Sequence, residues 1–279
     1  VSVVAIDTSL SHEAPFPASV QDVHYGVRWL KHRAPEWKGD PSTLGILGSS
    51  SGGHVAELVA MRPRDARYGA LPLAEAPALD ATVNYVATRS PISDCHARYE
   101  HMVKTDRPEM IRKTKLYFDP WESIFESNPA KILERGEKVV LPPLLIMQGE
   151  LDSNVPWQIQ EKFAQAWRAA GGECELEIFE GCEHMWIQEP GPQTDRAHEV
   201  LKAFIARQLH LLFQFQTEAS PRETNAACGI DITLILPRQF GQERVGLAGA
   251  IEEGRCNPAL EFLIDQHADI AIGIEDTGE

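Results

Sequence analysis

Short runs of apolar, β-branched residues alternate with longer amphipathic segments through most of this chain. That alternation predicts βαβ units, an α/β fold and a mostly parallel sheet. Val3 to Ile6 is the first predicted strand. Phe16-Pro17-Ala18-Ser19 then opens a helix, with Val20, Val23, Val27 and Leu30 at helical spacing, that runs to about Arg33 before Pro35. Leu44 to Leu47 is a short strand, and His54 to Met61 a helix that stops before Pro63. Further strands are expected at Ala81 to Val86, Leu144 to Met147 and Leu176 to Phe179, with helices over Pro156 to Ala170 and His198 to Leu212. Residues 95 to 135 carry helical patterning rich in aromatics, which fits either a cap over a pocket or a packed insertion.

Between the second strand and its helix stands Gly48-Ser49-Ser50-Ser51-Gly52, a G-x-S-x-G pentapeptide. Flanking glycines let the backbone turn sharply without a Cβ clash, so the central Ser50 projects its hydroxyl from the turn. The N–H of Ser51, at the start of the helix, would then point at an oxyanion formed on an attacked carbonyl. Two phosphate-loop readings of the same glycines fail. His54 and Val55 stand where a P-loop needs Lys and Ser or Thr, and no third glycine completes G-x-G-x-x-G.

A serine hydroxyl is a poor nucleophile near neutral pH and needs a histidine base, which in turn needs an acid to set its tautomer. Downstream, the buried run Leu144 to Met147 empties into Gln148-Gly149-Glu150-Leu151-Asp152, and Asp152 is the expected acid, with Glu150 as runner-up. The next strand empties into Glu180-Gly181-Cys182-Glu183-His184, so His184 is the expected base. His12, His24 and His54 are worse placed, before the elbow strand or within helices. Cys182 reads as a small buried residue.

Composition narrows the partners. Forty-one acidic against 26 basic residues leave a net charge of −15, which repels phosphate backbones and anionic lipid, so no nucleic acid or membrane partner is expected. Apolar residues at 43% suffice for a core, and no apolar run approaches the roughly 20 residues of a membrane helix. Cys95, Cys174, Cys182, Cys228 and Cys256 are odd in number and lack metal-ligand spacing, so neither a disulfide framework nor a zinc site is expected, and a reducing cytosol fits. Residues 216–279 hold no Lys, Trp or Tyr and carry 12 acidic residues against four Arg. A boundary is therefore placed there: residues 1–215 as one domain and 216–279 as a tail of unknown role with strand-like runs at Ile230 to Leu236 and Ile270 to Ile274.

From Val3 to about Leu209 the chain resembles the α/β-hydrolases, and most of all the esterase and lipase group that includes hormone-sensitive-lipase-like carboxylesterases. The residues that carry the resemblance are Phe16-Pro17-Ala18-Ser19-Val20-Gln21-Asp22 with Arg28-Trp29-Leu30, Gly48 to Gly53, Gly149-Glu150-Leu151-Asp152 and Glu180 to His184. The resemblance implies a Ser50, Asp152, His184 triad acting on a small-molecule carboxylic ester through an acyl-enzyme, with no metal or organic cofactor. An amide hydrolase on the same fold, or a remnant with a weakened oxyanion hole, are the alternatives. Acyl and alcohol preference and oligomeric state stay open.

Two departures bear on that expectation. Members of the group carry a His-Gly-Gly-type loop before the strand equivalent to Val3 to Ile6, which supplies another oxyanion N–H, and this sequence contains none. The alignment implies a domain that lacks its first three strands, one of which would lie beside the elbow strand, unless Val3 to Ile6 or the tail strands fill the gap. Loss of one oxyanion donor costs on the order of 100-fold to 1,000-fold in rate. The second departure is Thr8-Ser9, where the group often has an aromatic residue and an arginine.

Overall fold

The computed structural model describes residues 2–219, 229–235 and 270–276, and side-chain surroundings up to residue 212. In chain order the strands and α-helices are β1 (Ser2–Ala5), α1 (Ala18–Arg33), β2 (Gly39–Ser49), α2 (Ser51–Met61), β3 (Tyr85–Arg89), α3 (Cys95–Lys104), α4 (Pro108–Tyr117), α5 (Ser123–Glu126), α6 (Pro129–Glu134), β4 (Leu144–Gly149), α7 (Trp157–Ala169), β5 (Cys174–Phe179), α8 (Pro192–Ala219), β6 (Gly229–Ile235) and β7 (Ile270–Asp276). Strands β2, β3, β4 and β5 lie side by side and parallel, as the alternation predicts. On the other side of β2 the sheet continues through β7 and β6 to β1.

Period-2 alternation in the central strands separates two cores. Leu44, Ile46, Val86, Leu144 and Ile146 face one side of the sheet, where they pack with buried residues of α1, α2 and α7 such as Val27, Leu58 and Phe163. Tyr85, Ala87, Leu145 and Met147 face the other side and meet Leu201, Phe204 and Ile205 of α8. A strand buried on both faces must be apolar at nearly every position, which is why these runs stand out in the sequence. Each fully buried Leu, Ile or Phe contributes about 1.5 to 3 kcal/mol to that sandwich. Among the described residues no helix is long and apolar enough to cross a membrane.

The strand expected at Ala81 to Val86 is displaced to Tyr85–Arg89. Ala81 and Val83 are buried in the core without pairing as strand, which accounts for their apolar character. Thr88 and Arg89 break the apolar run yet continue the strand. The Thr88 hydroxyl donates to the Leu145 carbonyl, and the Arg89 guanidinium to the Ser49 hydroxyl and the His184 carbonyl.

Residues 95 to 135 form α3 to α6, and the two readings of that segment coexist. Its rings are packed, with Tyr99 against Trp121 at 4.7 Å and Tyr117 against Phe118 at 4.8 Å between centroids. Tyr117 and Phe118 also wall the cavity above Ser50.

The composition change at residue 216 falls inside α8, which continues to Ala219. Beyond it, β7 runs antiparallel along β2, pairing Gly45 with Gly273 and Gly48 with Ile270. A strand from 216–279 thus occupies the place beside the elbow strand, and β1 does not pair with β2. Leu236, the last residue of the predicted run Ile230 to Leu236, lies outside the described residues, as do Cys228 and Cys256. Cys95, Cys174 and Cys182 are free thiols.

Candidate active site

Ser50 sits between β2 and α2 with φ 52° and ψ −115°, a left-handed backbone that a non-glycine residue adopts at a cost of roughly 1 to 3 kcal/mol. The surroundings hold it there. Its N–H donates to the Arg89 carbonyl at 2.9 Å, while its own carbonyl accepts from His54 at 3.3 Å and Ile92 at 3.2 Å. Space for so sharp a turn comes from Gly48. A Cβ there would stand 2.6 Å from the Gly52 carbonyl carbon and 2.8 Å from the Gly53 nitrogen, backbone atoms that cannot yield. Gly48→Ala is therefore expected to lower unfolding free energy by about 2 kcal/mol or more in urea titrations. Ser51 is the first residue of α2, so its N–H has no partner within the helix, and Ser51 lines the cavity beside Ser50.

The side chains named from β4 and β5 converge on Ser50. Its Oγ lies 2.9 Å from His184 Nε2, and His184 Nδ1 lies 2.8 Å from Asp152 Oδ2. A carboxylate can only accept, so Nδ1 carries the proton and Nε2 presents a lone pair to the serine hydroxyl. Asp152 has a fully buried side chain. Burial pushes its carboxyl up. The hydrogen bond and charge of His184, with the Val155 N–H and the Gln148 amide, outweigh that and hold it below the ordinary aspartate value. The Asn154 and Val155 N–H groups donate to Oδ1 at 2.9 and 2.8 Å, and Gln148 Nε2 donates to Oδ2 at 2.9 Å.

Glu150 is placed differently. Its Oε2 accepts from the Gly181 N–H at 3.0 Å, so it fastens the loop that carries His184 rather than touching the imidazole. The two loops are further tied by Glu150 N–H to the Phe179 carbonyl and Leu151 N–H to the Cys182 carbonyl, at 3.0 and 2.9 Å. Gly149 permits this approach, since a Cβ there would stand 2.5 Å from the Cys182 carbonyl oxygen.

A sequence profile of the α/β hydrolase fold matches residues 1–188. The chain belongs to the α/β-hydrolase family. Carboxylesterase NlhH of Mycobacterium tuberculosis is 38% identical over 63 residues, covering 23% of this chain and 20% of NlhH. Esterase LipQ of the same species is 26% identical over 172 residues, 60% of this chain and 38% of LipQ. The matched part therefore spans less than half the length of either relative. Among solved structures, a carboxyl esterase 2 from the fungus Tuber melanosporum aligns with a TM-score of 0.55 at 19% identity. It covers 73% of this chain and 67% of that one, a likeness of fold.

In this α/β-hydrolase chain, Ser50, Ser51 and His184 border a cavity of about 580 Å³. Its walls also include residues 8–12 after β1, parts of α1 to α4, and Ile92, Phe118, Asn154 and Met185. Thr8 and Ser9, the second departure noted in the sequence, line it, and the Ser9 N–H donates to Asp22 at 2.7 Å.

Sequence reasoning missed several supporting groups. Gln148 is one, and its signal was a lone amide at the end of a buried apolar strand. Arg89, at the end of β3, is another: it reaches the His184 carbonyl at 3.3 Å. Under the elbow helix lies a third group, in which Ser93 Oγ is 2.8 Å from both Glu57 Oε1 and Gln160 Oε1, and Gln160 Nε2 donates to the Pro91 carbonyl at 2.5 Å. Burial pushes the Glu57 carboxyl up to about 8, although the Ser93 hydroxyl opposes the shift. His54, the other buried titratable group of α2, is pushed down to about 4 by burial, opposed by its bond to the Ser127 carbonyl at 2.8 Å.

Proposed function

We propose that this chain is a serine hydrolase that cleaves carboxylic esters through an acyl-enzyme. The observation that carries the reading is the unbroken chain from Ser50 Oγ through His184 to buried Asp152, opening on a cavity of substrate size. The esterase relatives named above support the choice of ester. In this mechanism Ser50 attacks the ester carbonyl while His184 Nε2 takes its proton. The Ser51 N–H donates to the oxyanion, and Asp152 stabilises the imidazolium. His184 then protonates the departing alcohol, and water repeats the cycle on the acyl-Ser50 ester to release the acid. No metal or organic cofactor enters the scheme. A reducing, cytosolic setting belongs to the same proposal, resting on the three free thiols.

The test is hydrolysis of 4-nitrophenyl acetate and butyrate beside labelling by a fluorophosphonate probe, with the labelled peptide mapped. Turnover of both esters and modification of Ser50 are expected. Folded protein that neither turns over nor labels would be a remnant and would overturn the proposal. Cleavage of a matched 4-nitroanilide with kcat/KM equal to the ester's would move it to the amide hydrolases.

A further inference from the structure

Among the described residues, the cavity above Ser50 has no Asp or Glu in its lining, although the chain is strongly acidic. It does have an arginine. Arg98 of α3 is only 8% exposed, yet among the described residues no carboxylate comes within 4.0 Å of its guanidinium. One terminal nitrogen donates to Asn154 Oδ1 at 2.5 Å and contacts Met110 Sδ at 3.8 Å. The Nε is buried without a hydrogen-bond partner. The nearest triad carboxylate does not serve as its partner, because the Asp152 oxygens are taken by His184, Gln148 and two backbone N–H groups. Lys113 also lines the cavity, but it is more than half exposed and sits 3.8 Å from Glu109, so water and that carboxylate screen it.

Burial works against the Arg98 charge and the Asp152 charge supports it only from beyond ion-pair distance, so an anion occupying the site would compensate it more fully. A planar guanidinium with unused donors on a cavity wall is suited to a carboxylate, which it holds by charge-assisted hydrogen bonds. We propose that the substrate ester carries a free carboxylate, as in a half-ester of a dicarboxylic acid or an ester of a hydroxy acid, and that Arg98 binds it. This rests on the esterase reading above. The anion would enter a local field of opposite sign to the net charge of −15, so Arg98 acts as a specificity group at short range rather than by steering from afar.

The experiment compares matched pairs. On the acyl side, 4-nitrophenyl hemiglutarate is set against 4-nitrophenyl pentanoate; on the alcohol side, 4-acetoxybenzoate against phenyl acetate. Wild-type protein is expected to favour the anionic member of one pair in kcat/KM, and Arg98→Met to shrink that ratio about 30-fold, with Arg98→Lys recovering part of it. Using the ratio cancels any general loss of activity in the variant. A wild-type preference for the neutral member of both pairs, or an equal fall for anionic and neutral esters in Arg98→Met, overturns the proposal. The second result would make Arg98 a positioning residue for the Asn154 loop. Calorimetric binding of monomethyl glutarate against methyl pentanoate to Ser50→Ala needs no turnover. If no ester is cleaved at all, the esterase reading falls while this arm still decides Arg98: selective binding of the anion, lost in the Ser50→Ala/Arg98→Met double variant, upholds its role, and equal binding overturns it.

Discussion

Ser50→Ala is expected to lower kcat for 4-nitrophenyl butyrate by about 10⁴-fold to 10⁶-fold, the range that loss of a triad nucleophile produces in serine hydrolases. The side chain removed is small. Among the described residues its Oγ bonds only His184, and the backbone bonds that hold the turn, from Ser50 to Arg89, His54 and Ile92, do not involve it. The variant should therefore fold and keep its cavity, so the loss is read in chemistry. Water can still be activated by His184 and the oxyanion still met by the Ser51 N–H, which leaves a small residual rate without acyl-enzyme. Pre-steady-state measurement should show a burst of nitrophenol in the wild type and none in the variant. A loss smaller than tenfold would mean that Ser50 is not the nucleophile.

Glu57→Gln is expected to stabilise the protein, and to do so more as pH rises. The three oxygens of Glu57, Ser93 and Gln160 form a chain. Gln160 spends its amide nitrogen on the Pro91 carbonyl, so towards Ser93 its oxygen can only accept. The Ser93 hydroxyl has one proton and lies 2.8 Å from both oxygens, so it donates to only one of them at a time. When Glu57 is ionised its carboxylate accepts that proton, which opposes the shift, but burial outweighs the bond and raises the carboxyl to about 8.

The linkage has a definite sign. Between the ordinary value of 4.5 and about 8, the folded state holds a proton that the unfolded chain has released, so stability falls as pH rises through that window. Glutamine keeps a donor to Ser93 without that dependence. Urea unfolding should give a difference between Glu57→Gln and wild type that grows by about 3 kcal/mol from pH 5 to pH 8. His54, whose depressed value makes stability fall as pH drops from 6.5 towards 4, is present in both proteins and cancels in the comparison. A difference that is the same at both pH values would show that Glu57 is ionised in the folded protein.

Much of the site could be read from the sequence because its parts sit at strand ends. A strand buried on both faces leaves an unmistakable apolar run, as at Leu144 to Met147, and the polar residues just beyond it are placed by the fold at one edge of the sheet. Asp152 and His184 follow from such strand ends and Ser50 from its glycine-flanked turn, and the three meet within hydrogen-bond distance. Choosing Asp152 over Glu150 required more. The two differ by only two positions, and the choice depends on how the loop folds back, with Glu150 turned to Gly181 and Asp152 turned inward under two N–H groups.

The displaced third strand shows the opposite case. Thr88 and Arg89 look like loop residues until their side chains are seen to bond across the sheet, to Leu145, Ser49 and His184. Long-range polar partners leave no periodic trace along the chain. The same holds for Glu57, which in sequence is one acidic residue in an apolar helix, and for Arg98, one of several cations in an aromatic-rich segment.

Periodicity and punctuation by glycine and proline determined the α/β class, the elbow and the strand ends that carry Asp152 and His184, because these follow from local backbone preference and from which positions must be apolar. The tertiary structure decided what lies beside the elbow strand and which charges share a cavity. Both are outcomes of packing between segments far apart in the chain. Strand β7, more than 200 residues from β2, lies along Gly45 to Gly48. Arg98 meets Asn154 across 56 residues, and among the described residues no carboxylate lines the cavity. Neither arrangement could be inferred from spacing, since chain entropy places no such distant pair together until the whole core has formed.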